Sequence, residues 1–168
     1  MSTQTETAVT TQVYRVYIKA SPEAIWDAIT KPEWTQKYGY RGIVEFDELR
    51  PGGKFRWLAT PEIQAMGMPE VVVDGEVIEA EPPRRLVQTW RPLWSEDIAA
   101  ETTRVTYDIE EDDGGITRLT VTHELEGAPI TAAQVGLSDA RVLEGGGGWP
   151  MILSDLKSLL ETGTALGG

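Results

Sequence analysis

The sequence predicts an α+β fold in which a curved antiparallel sheet wraps around one long C-terminal helix. Residues 43–125 carry a succession of short segments whose apolar and polar residues alternate, as in strands buried on one face. Two of these segments flank Asp113 and Gly114, a dipeptide that favours a tight hairpin. Residues 149–160 place apolar side chains at intervals of three and four, the period of a helix with one buried face. The inner face of the sheet is the only large apolar surface that can cover that helix.

A strand and two short helices precede most of the sheet. Residues 13–20 are rich in β-branched and aromatic side chains, which favour a strand. Ser21 then suits an N-cap, Pro22 suits the first helical position, and Glu23 complements the helix dipole. Pro32 ends this helix and can begin the second one.

Length and composition indicate one domain with an acidic surface. The 168 residues suit a disordered tail over residues 1–12, one domain over 13–163 and a short tail over 164–168. The net charge of -12 argues against partners such as nucleic acid or an anionic membrane. The chain has no cysteine, which excludes disulfides and thiolate chemistry. It also has no apolar run that approaches a membrane span and no signal-peptide pattern, so we expect a cytoplasmic protein.

Aromatic residues are candidates for the walls of a ligand pocket. Strand alternation places Trp57, Trp90 and Tyr107 on the inner face of the sheet. Their flat apolar rings with polar tips suit an apolar or aromatic ligand, although each ring alone is more typical of a core. The residues expected to line or gate such a pocket are Trp57, Met66, Met68, Trp90, Trp94, Tyr107, His123 and Trp149.

His123 is the only histidine and shares a face with Leu119 and Val121. An imidazole titrates near neutral pH, so in an enzyme His123 would transfer a proton while Tyr107 or Glu101 orients the substrate. The alternative, which we favour, is a hydrogen-bonded structural histidine. One histidine without any cysteine makes a poor metal site, and we expect neither a metal nor a cofactor.

Four glycines, Gly145, Gly146, Gly147 and Gly148, come directly before the predicted final helix. A phosphate loop of the Walker type needs a lysine and a hydroxyl residue immediately after its glycines, and a dinucleotide-binding fold needs parallel strands. The sequence offers neither. Because glycine restricts the backbone little, two interpretations stay open: a plain linker, or a hinge that lets residues 126–148 act as a lid.

Five segments carry a family likeness in their order and spacing: residues 20–38, 48–57, 74–91, 102–125 and 147–163. Together they resemble the START/polyketide-cyclase/birch-pollen-allergen (SRPBCC) superfamily, and within it the AHSA-type branch named for activators of a heat-shock-protein ATPase. The resemblance implies a helix-grip fold with a cavity between the sheet and the C-terminal helix. It implies no shared catalytic motif, since members include lipid and hormone binders, cyclases and co-chaperone domains.

Three functions therefore stay under consideration. The first is non-enzymatic binding of a small, mostly apolar, lipid-like or aromatic ligand between sheet and helix. The second is a cyclase, dehydratase or hydrolase that uses His123. The third is a co-chaperone-like interaction module, which predicts an exposed apolar patch and no deep cavity. The edges of the sheet would also allow a homodimer.

Overall fold

The computed structural model describes residues 11–134 and 148–166. Seven antiparallel strands form one sheet in the order β1-β7-β6-β5-β4-β3-β2. The strands are β1 Thr11–Ile18, β2 Ile43–Phe46, β3 Lys54–Leu58, β4 Val71–Glu81, β5 Arg85–Pro92, β6 Thr103–Glu111 and β7 Thr117–Glu124. The helices are α1 Pro22–Thr30, α2 Pro32–Thr35, α3 Pro61–Ala65, α4 Glu96–Ala99, α5 Pro129–Gln134 and α6 Gly148–Thr162. The predicted α+β, helix-grip fold with two short helices after the first strand is confirmed.

The start of α1 follows the local chemistry of its sequence. The Ser21 hydroxyl accepts a hydrogen bond from the backbone N–H of Ala24 at 3.1 Å, and Pro22 occupies the first turn. This bond satisfies one of the amides that a helix N-terminus leaves without an intrahelical partner. The helix buries Ile25 and Ala28 completely, so the predicted apolar stripe is the face that packs into the core.

Two turns connect strands as the sequence predicts. At residues 50–53, the N–H of Gly53 donates to the carbonyl of Arg50 at 2.9 Å, and the φ angle of Gly52 is 94°. A positive φ at the third turn residue is what a type II turn requires. Between β6 and β7, Gly114 and Gly115 have φ angles of 77° and 78°. Both are conformations that glycine adopts without a steric penalty.

The long helix α6 packs its apolar face on the sheet. Trp149, Leu153, Leu156 and Leu159 are buried in one cluster with inner-face residues of β6 and β7, including Ile109, Leu119 and Val121. Burial of each such side chain contributes roughly 1.5–3 kcal/mol. The helix therefore depends on the sheet for its stability, and Trp149 in its first turn lies against β6 and β7.

Strand pairing and core contacts continue outside residues 13–163 at both ends. The strand β1 begins at Thr11 rather than at residue 13. At the other end, the carboxylate of Asp155 accepts a 2.7 Å bond from the N–H of Leu166 and a 2.8 Å bond from the N–H of Gly39. Ala165 is consequently buried in the main core. The buried carboxylate of α6 thus ties both the segment after α2 and the residues after α6 to the helix.

Candidate functional site

His123 lies at the centre of a polar patch on the inner face of the sheet. The register places Gln12 of β1 directly opposite His123, which in turn lies opposite Val105 of β6. Gln88 of β5 lies opposite Val105 on the other side. Residues directly opposite each other in an antiparallel sheet share a face, and Thr103 shares it because it lies two positions from Val105. We call Gln12, Gln88, Thr103 and His123 the polar patch; all four are buried.

A chain of hydrogen bonds runs through His123. The indole N–H of Trp149 donates to Nδ1 at 3.2 Å, and Nε2 lies 2.8 Å from the hydroxyl of Thr103. That hydroxyl donates to the carbonyl of Trp90 at 2.8 Å. Because an indole nitrogen can only donate, Nδ1 accepts, and the proton of the neutral ring is on Nε2, which donates to Thr103. Both ring nitrogens of His123 are therefore engaged.

Burial lowers the pKa of His123 to about 4, so the ring is neutral at physiological pH. A general base needs a ring nitrogen that faces the reacting proton. Here Nδ1 is already bonded to the indole, and Nε2 carries the proton. These contacts support the interpretation of His123 as a hydrogen-bonded structural histidine.

Aromatic rings surround His123 on two sides. The Trp90 ring centroid lies 5.0 Å from that of His123 with the planes at 80°, and the Trp149 ring lies 6.1 Å away at 90°. Trp149 also meets Tyr107 edge-on at 6.2 Å, and Trp90 meets Trp94 at 6.3 Å. These edge-to-face arrangements are favourable for aromatic pairs. We call this set of five rings the aromatic cluster; it brings together five of the eight predicted pocket residues.

The other three predicted pocket residues lie elsewhere. Trp57 and Met68 pack in a second apolar cluster around Val44 and Phe55, and Trp90 contacts both clusters. Met66 does not join either one: its side chain is 82 % exposed. It follows α3, a short helix without a buried residue, so nothing draws this side chain inward. Met66 therefore does not form part of the wall around the aromatic cluster.

The two residues expected to assist His123 in catalysis have other surroundings. Burial raises the pKa of Tyr107, whose ring lies against Trp149. Glu101 caps α5: its carboxylate accepts bonds from the N–H of Thr131 at 2.7 Å, the hydroxyl of Thr131 at 2.8 Å and the N–H of Ile130 at 3.1 Å. Burial alone would raise the pKa of Glu101, but these three bonds outweigh it and hold the pKa below its ordinary value. Glu101 acts as a helix cap.

Two open concavities lie on the surface. One, of about 590 Å³, is lined by Gly39, Tyr40, Arg41, Met151, Asp155 and Leu166. The other, of about 420 Å³, lies beside β2 and is lined by residues that include Pro32, Phe46 and Arg56. No residue of the aromatic cluster or the polar patch lines either concavity. In the part of the chain that is described, side chains of α6 and the aromatic cluster occupy the space where the family resemblance implied a cavity.

Sequence reasoning missed most of the polar patch. Gln12 lies in the predicted disordered tail, and no sequence pattern indicated a role for Thr103. Gln88 did leave a signal: in the strand segment 86–90 it alternates in phase with Leu86 and Trp90, which is unusual for an amide. The side-chain oxygens of Gln12 and Gln88 are buried, and no described residue gives either of them a hydrogen-bond partner.

The structure describes only part of the predicted hinge and lid. Gly145, Gly146 and Gly147 lie outside the described residues, and Gly148 is the first residue of α6. Of the lid segment, residues 129–134 form α5.

Within residues 11–134 and 148–166, no three acidic or histidine side chains converge to hold a metal ion. Over the same ranges, no helix is both long and apolar enough to traverse a bilayer.

Solved structures of other proteins share this fold. A protein from Mesorhizobium loti is similar with a TM-score of 0.64, 22% sequence identity, and coverage of 89% of this chain and 96% of that chain. The Aha1 dimer from Colwellia psychrerythraea matches with a TM-score of 0.62 and 19% identity, over 92% of this chain and 98% of that chain. An HSP90 activator from Plasmodium falciparum matches with a TM-score of 0.53 and 20% identity, over 69% and 73%. At such identities the likeness shows the fold alone.

Sequence comparison gives the family. No curated protein matches the chain. The family model described as "Activator of Hsp90 ATPase homolog 1-like protein" matches residues 19–161, which is most of the sequence and includes every helix and strand from α1 to β7 together with most of α6. The chain therefore belongs to the family of Activator of Hsp90 ATPase homolog 1-like proteins, within the SRPBCC superfamily.

Proposed function

We propose that this protein binds a small, mostly apolar molecule, lipid-like or aromatic, at the aromatic cluster between the sheet and the first turn of α6, and that it does no chemistry on it. The observation that carries the proposal is the aromatic cluster itself, in which Trp90 of β5 and Trp149 of α6 lie on two sides of the neutral His123, and Tyr107 of β6 lies against Trp149. Small-molecule sites typically combine apolar and aromatic walls with a few polar groups that fix orientation.

We place the entrance to the site at Trp90 and Trp94, which are only partly buried. Tyr107 lies deeper, where burial raises the pKa of its hydroxyl. A flat apolar ligand can stack on these rings and bury its own surface, at about 25 cal/mol for each Å² removed from water. The catalytic alternative has less support because it needs a free nitrogen on His123, and both nitrogens are bonded.

A neutral fluorescent probe tests the proposal. N-phenyl-1-naphthylamine brightens in apolar sites, so titration should give saturable binding at one site per chain. Trp90→Ala should weaken that binding by about tenfold, the equivalent of roughly 1.4 kcal/mol. Tyr40→Ala, which removes an exposed ring from the surface concavity, is the matched control and should leave binding unchanged. Native mass spectrometry of the freshly purified protein would then identify a retained natural ligand by its mass.

The opposite pattern of the two variants would count against the site. If Tyr40→Ala abolishes probe binding while Trp90→Ala does not, the probe occupies the surface concavity instead. If the wild-type protein does not bind the probe at all, apolar ligand binding at the aromatic cluster is not its function. Circular dichroism of each variant checks that the fold is intact.

A second candidate function is a protein-interaction module of co-chaperone type. The observation that favours it is an exposed apolar surface on the 590 Å³ concavity: Tyr40 is 61% exposed, Met151 60% and Leu166 63%. Patches of this kind on a soluble domain often mark contact surfaces. The family description names activation of the Hsp90 ATPase. Stimulation of an Hsp90-type ATPase by the wild-type protein, lost in a Tyr40→Ala/Met151→Ala double variant, would support this function; an unchanged ATPase rate would exclude it for that ATPase.

We also propose homodimerisation of this chain, because one structural relative is described as a dimer. The edge strand β1 is partly covered in this chain, since the ammonium of Lys157 donates to the carbonyl of Tyr17 at 2.8 Å and Glu161 accepts from the N–H of Lys19 at 2.8 Å. Such contacts occupy edge groups that a second strand would need. Sedimentation velocity at several concentrations would distinguish a dimer from a monomer.

A further inference from the structure

We infer that the ligand carries a neutral hydrogen-bond donor, of the kind found in a phenol or an alcohol, and that the side-chain amide of Gln88 accepts it. This inference rests on the proposed function and specifies the chemistry of the same site. It follows from an unsatisfied polar group inside an apolar interior, from the absence of charge around it, and from the position of Gln88 beside the aromatic cluster.

Gln88 carries a buried acceptor without a donor. Its side chain is 1% exposed, and its Oε1 has no hydrogen-bond partner in the described part of the chain. Buried polar atoms in folded proteins nearly always have a partner, because leaving one unpaired forfeits its hydration. The residues directly opposite on the two neighbouring strands are Val77 and Val105, whose apolar side chains cannot supply a donor. Neither of these directly opposed residues can therefore supply the missing donor, which leaves the acceptor open to a ligand.

Gln88 is next to the proposed ligand site along its own strand. Trp90 lies two positions further along β5, so both side chains point to the same face. Trp90 in turn contacts His123 and Trp94. A ring stacked in the aromatic cluster can therefore direct a substituent towards Gln88.

The polar patch holds a second acceptor at its other end. Gln12 is 8% exposed, and its Oε1 also lacks a partner among the described residues. Gln12 and Gln88 are three strand steps apart, roughly 14 Å at about 4.8 Å for each step. A compact ligand reaches one of these oxygens, whereas an elongated ligand with a donor at each end reaches both.

Charge decides which polar group the site prefers. The buried inner-face residues of β1, β5, β6 and β7 are uncharged, and the α6 side chains in the same cluster, Trp149, Leu153, Leu156 and Leu159, are apolar. The buried carboxylate of Asp155 is already bonded to the N–H groups of Gly39 and Leu166. A carboxylate or phosphate buried there would have no cation beside it and would face acceptor oxygens. An ammonium group would be equally without a counter-charge. A neutral donor alone satisfies the amide oxygens without a buried charge.

Three probes of one size test this selectivity at pH 7: 2-naphthol, 2-methoxynaphthalene and 2-naphthoate. The first offers a donor, the second only an acceptor, and the third a negative charge. We expect 2-naphthol to bind about tenfold more tightly than 2-methoxynaphthalene, the value of one hydrogen bond to a buried group, with 2-naphthoate weakest. Quenching of tryptophan fluorescence, checked by calorimetry, measures all three.

Variants assign the preference to Gln88. Gln88→Met keeps the shape of the side chain and removes the acceptor, so the tenfold advantage of 2-naphthol should disappear while 2-methoxynaphthalene binds within about twofold of wild type. Gln36→Met, at an exposed glutamine on the C-terminal side of α2, is the matched control and should preserve the advantage. The side-chain oxygen of Gln88 has no partner among residues 11–134 and 148–166, so its removal breaks no hydrogen bond there and the variant is expected to fold.

The outcomes separate the two proposals. Equal binding of 2-naphthol and 2-methoxynaphthalene by the wild-type protein overturns this inference and leaves apolar ligand binding standing. Tighter binding of 2-naphthoate also overturns it. Failure of all three probes to bind overturns both proposals together. Persistence of the 2-naphthol advantage in Gln88→Met shows that the acceptor is a different group, and refutes the assignment to Gln88.

Discussion

Acidification should destabilise this fold through His123, which is fully buried. Burial lowers its pKa from 6.5 to about 4. Between these two values the unfolded chain binds a proton at this residue and the folded chain does not, so stability falls as the pH decreases. The contribution is complete above pH 6.5. This contribution is lost as the pH falls towards 4. At pH 4 the loss in unfolding free energy amounts to about 3 kcal/mol, because each pKa unit corresponds to roughly 1.4 kcal/mol.

The structure also explains why the protonated ring is disfavoured. A proton added to Nδ1 turns the acceptor of the 3.2 Å bond from Trp149 into a second donor, so two N–H groups would face each other. Between pH 7.5 and pH 5 the linkage relation gives a loss of about 2 kcal/mol for this residue. The first turn of α6, which carries Trp149, is where we expect the fold to loosen.

Urea unfolding of the wild-type protein and of His123→Gln at pH 7.5 and pH 5 measures this loss. Glutamine does not titrate and offers one acceptor and one donor in place of the ring nitrogens. All other titrating groups are common to both proteins, so the difference between their unfolding free energies isolates His123. That difference should change by about 2 kcal/mol in favour of the variant at pH 5. Parallel pH profiles for the two proteins would refute the reasoning.

Three further substitutions test contacts that the fold depends on. Glu101→Ala removes the carboxylate that caps α5 and should cost about 1 kcal/mol in urea unfolding; faster amide exchange confined to α5 would be its signature. Asp155→Ala leaves the partly buried N–H groups of Gly39 and Leu166 without their acceptor, so we expect a loss of about 1–2 kcal/mol and a lower melting temperature; an unchanged melting temperature would contradict this role. Gly75→Ala places a Cβ 2.0 Å from the carbonyl oxygen of Thr89. Because that oxygen belongs to the backbone, β4 must shift against β5, and we expect this to lower the unfolding free energy by about 1–3 kcal/mol. Gly67→Ala is the comparison: the added Cβ contacts no neighbouring atom, but the φ angle of residue 67 is positive, so only backbone strain opposes the substitution.

Much of the fold follows from local chemistry that a sequence displays. The N-cap Ser21, the turn at Gly52 and the hairpin around Gly114 are each determined by the residues beside them. Strand alternation likewise indicated that His123 faces inward, since a side-chain period of two assigns every residue of a strand to one face. These features depend on neighbours in the chain, which is why the pattern alone predicts them.

The candidate site was predicted less completely because its geometry depends on residues distant in sequence. Tyr107, His123 and Trp149 were expected near one another, but only the packing of α6 on the sheet shows that an indole from residue 149 donates to the imidazole at 123. Glu101 was named as an assistant of His123 only for the enzymatic alternative, and in the structure it caps α5 through Thr131. A carboxylate has several possible partners within reach of its strand end, and the sequence does not rank them.

The sequence by itself determined the fold class, the family likeness, the inward face of each strand and the apolar stripe of α6, because these depend on local propensity and on the period of hydrophobicity. Only the tertiary structure decided which side chains meet across that interior. Strand register brought Gln12, Gln88 and His123 into one row across the sheet. Helix packing then placed Trp149 over that row, where its indole fixes the protonation of the histidine. In the described part of the chain, the amide oxygens of Gln12 and Gln88 stay without a donor. Register and packing are set by the summed contacts of the whole core, and no short stretch of sequence contains that sum.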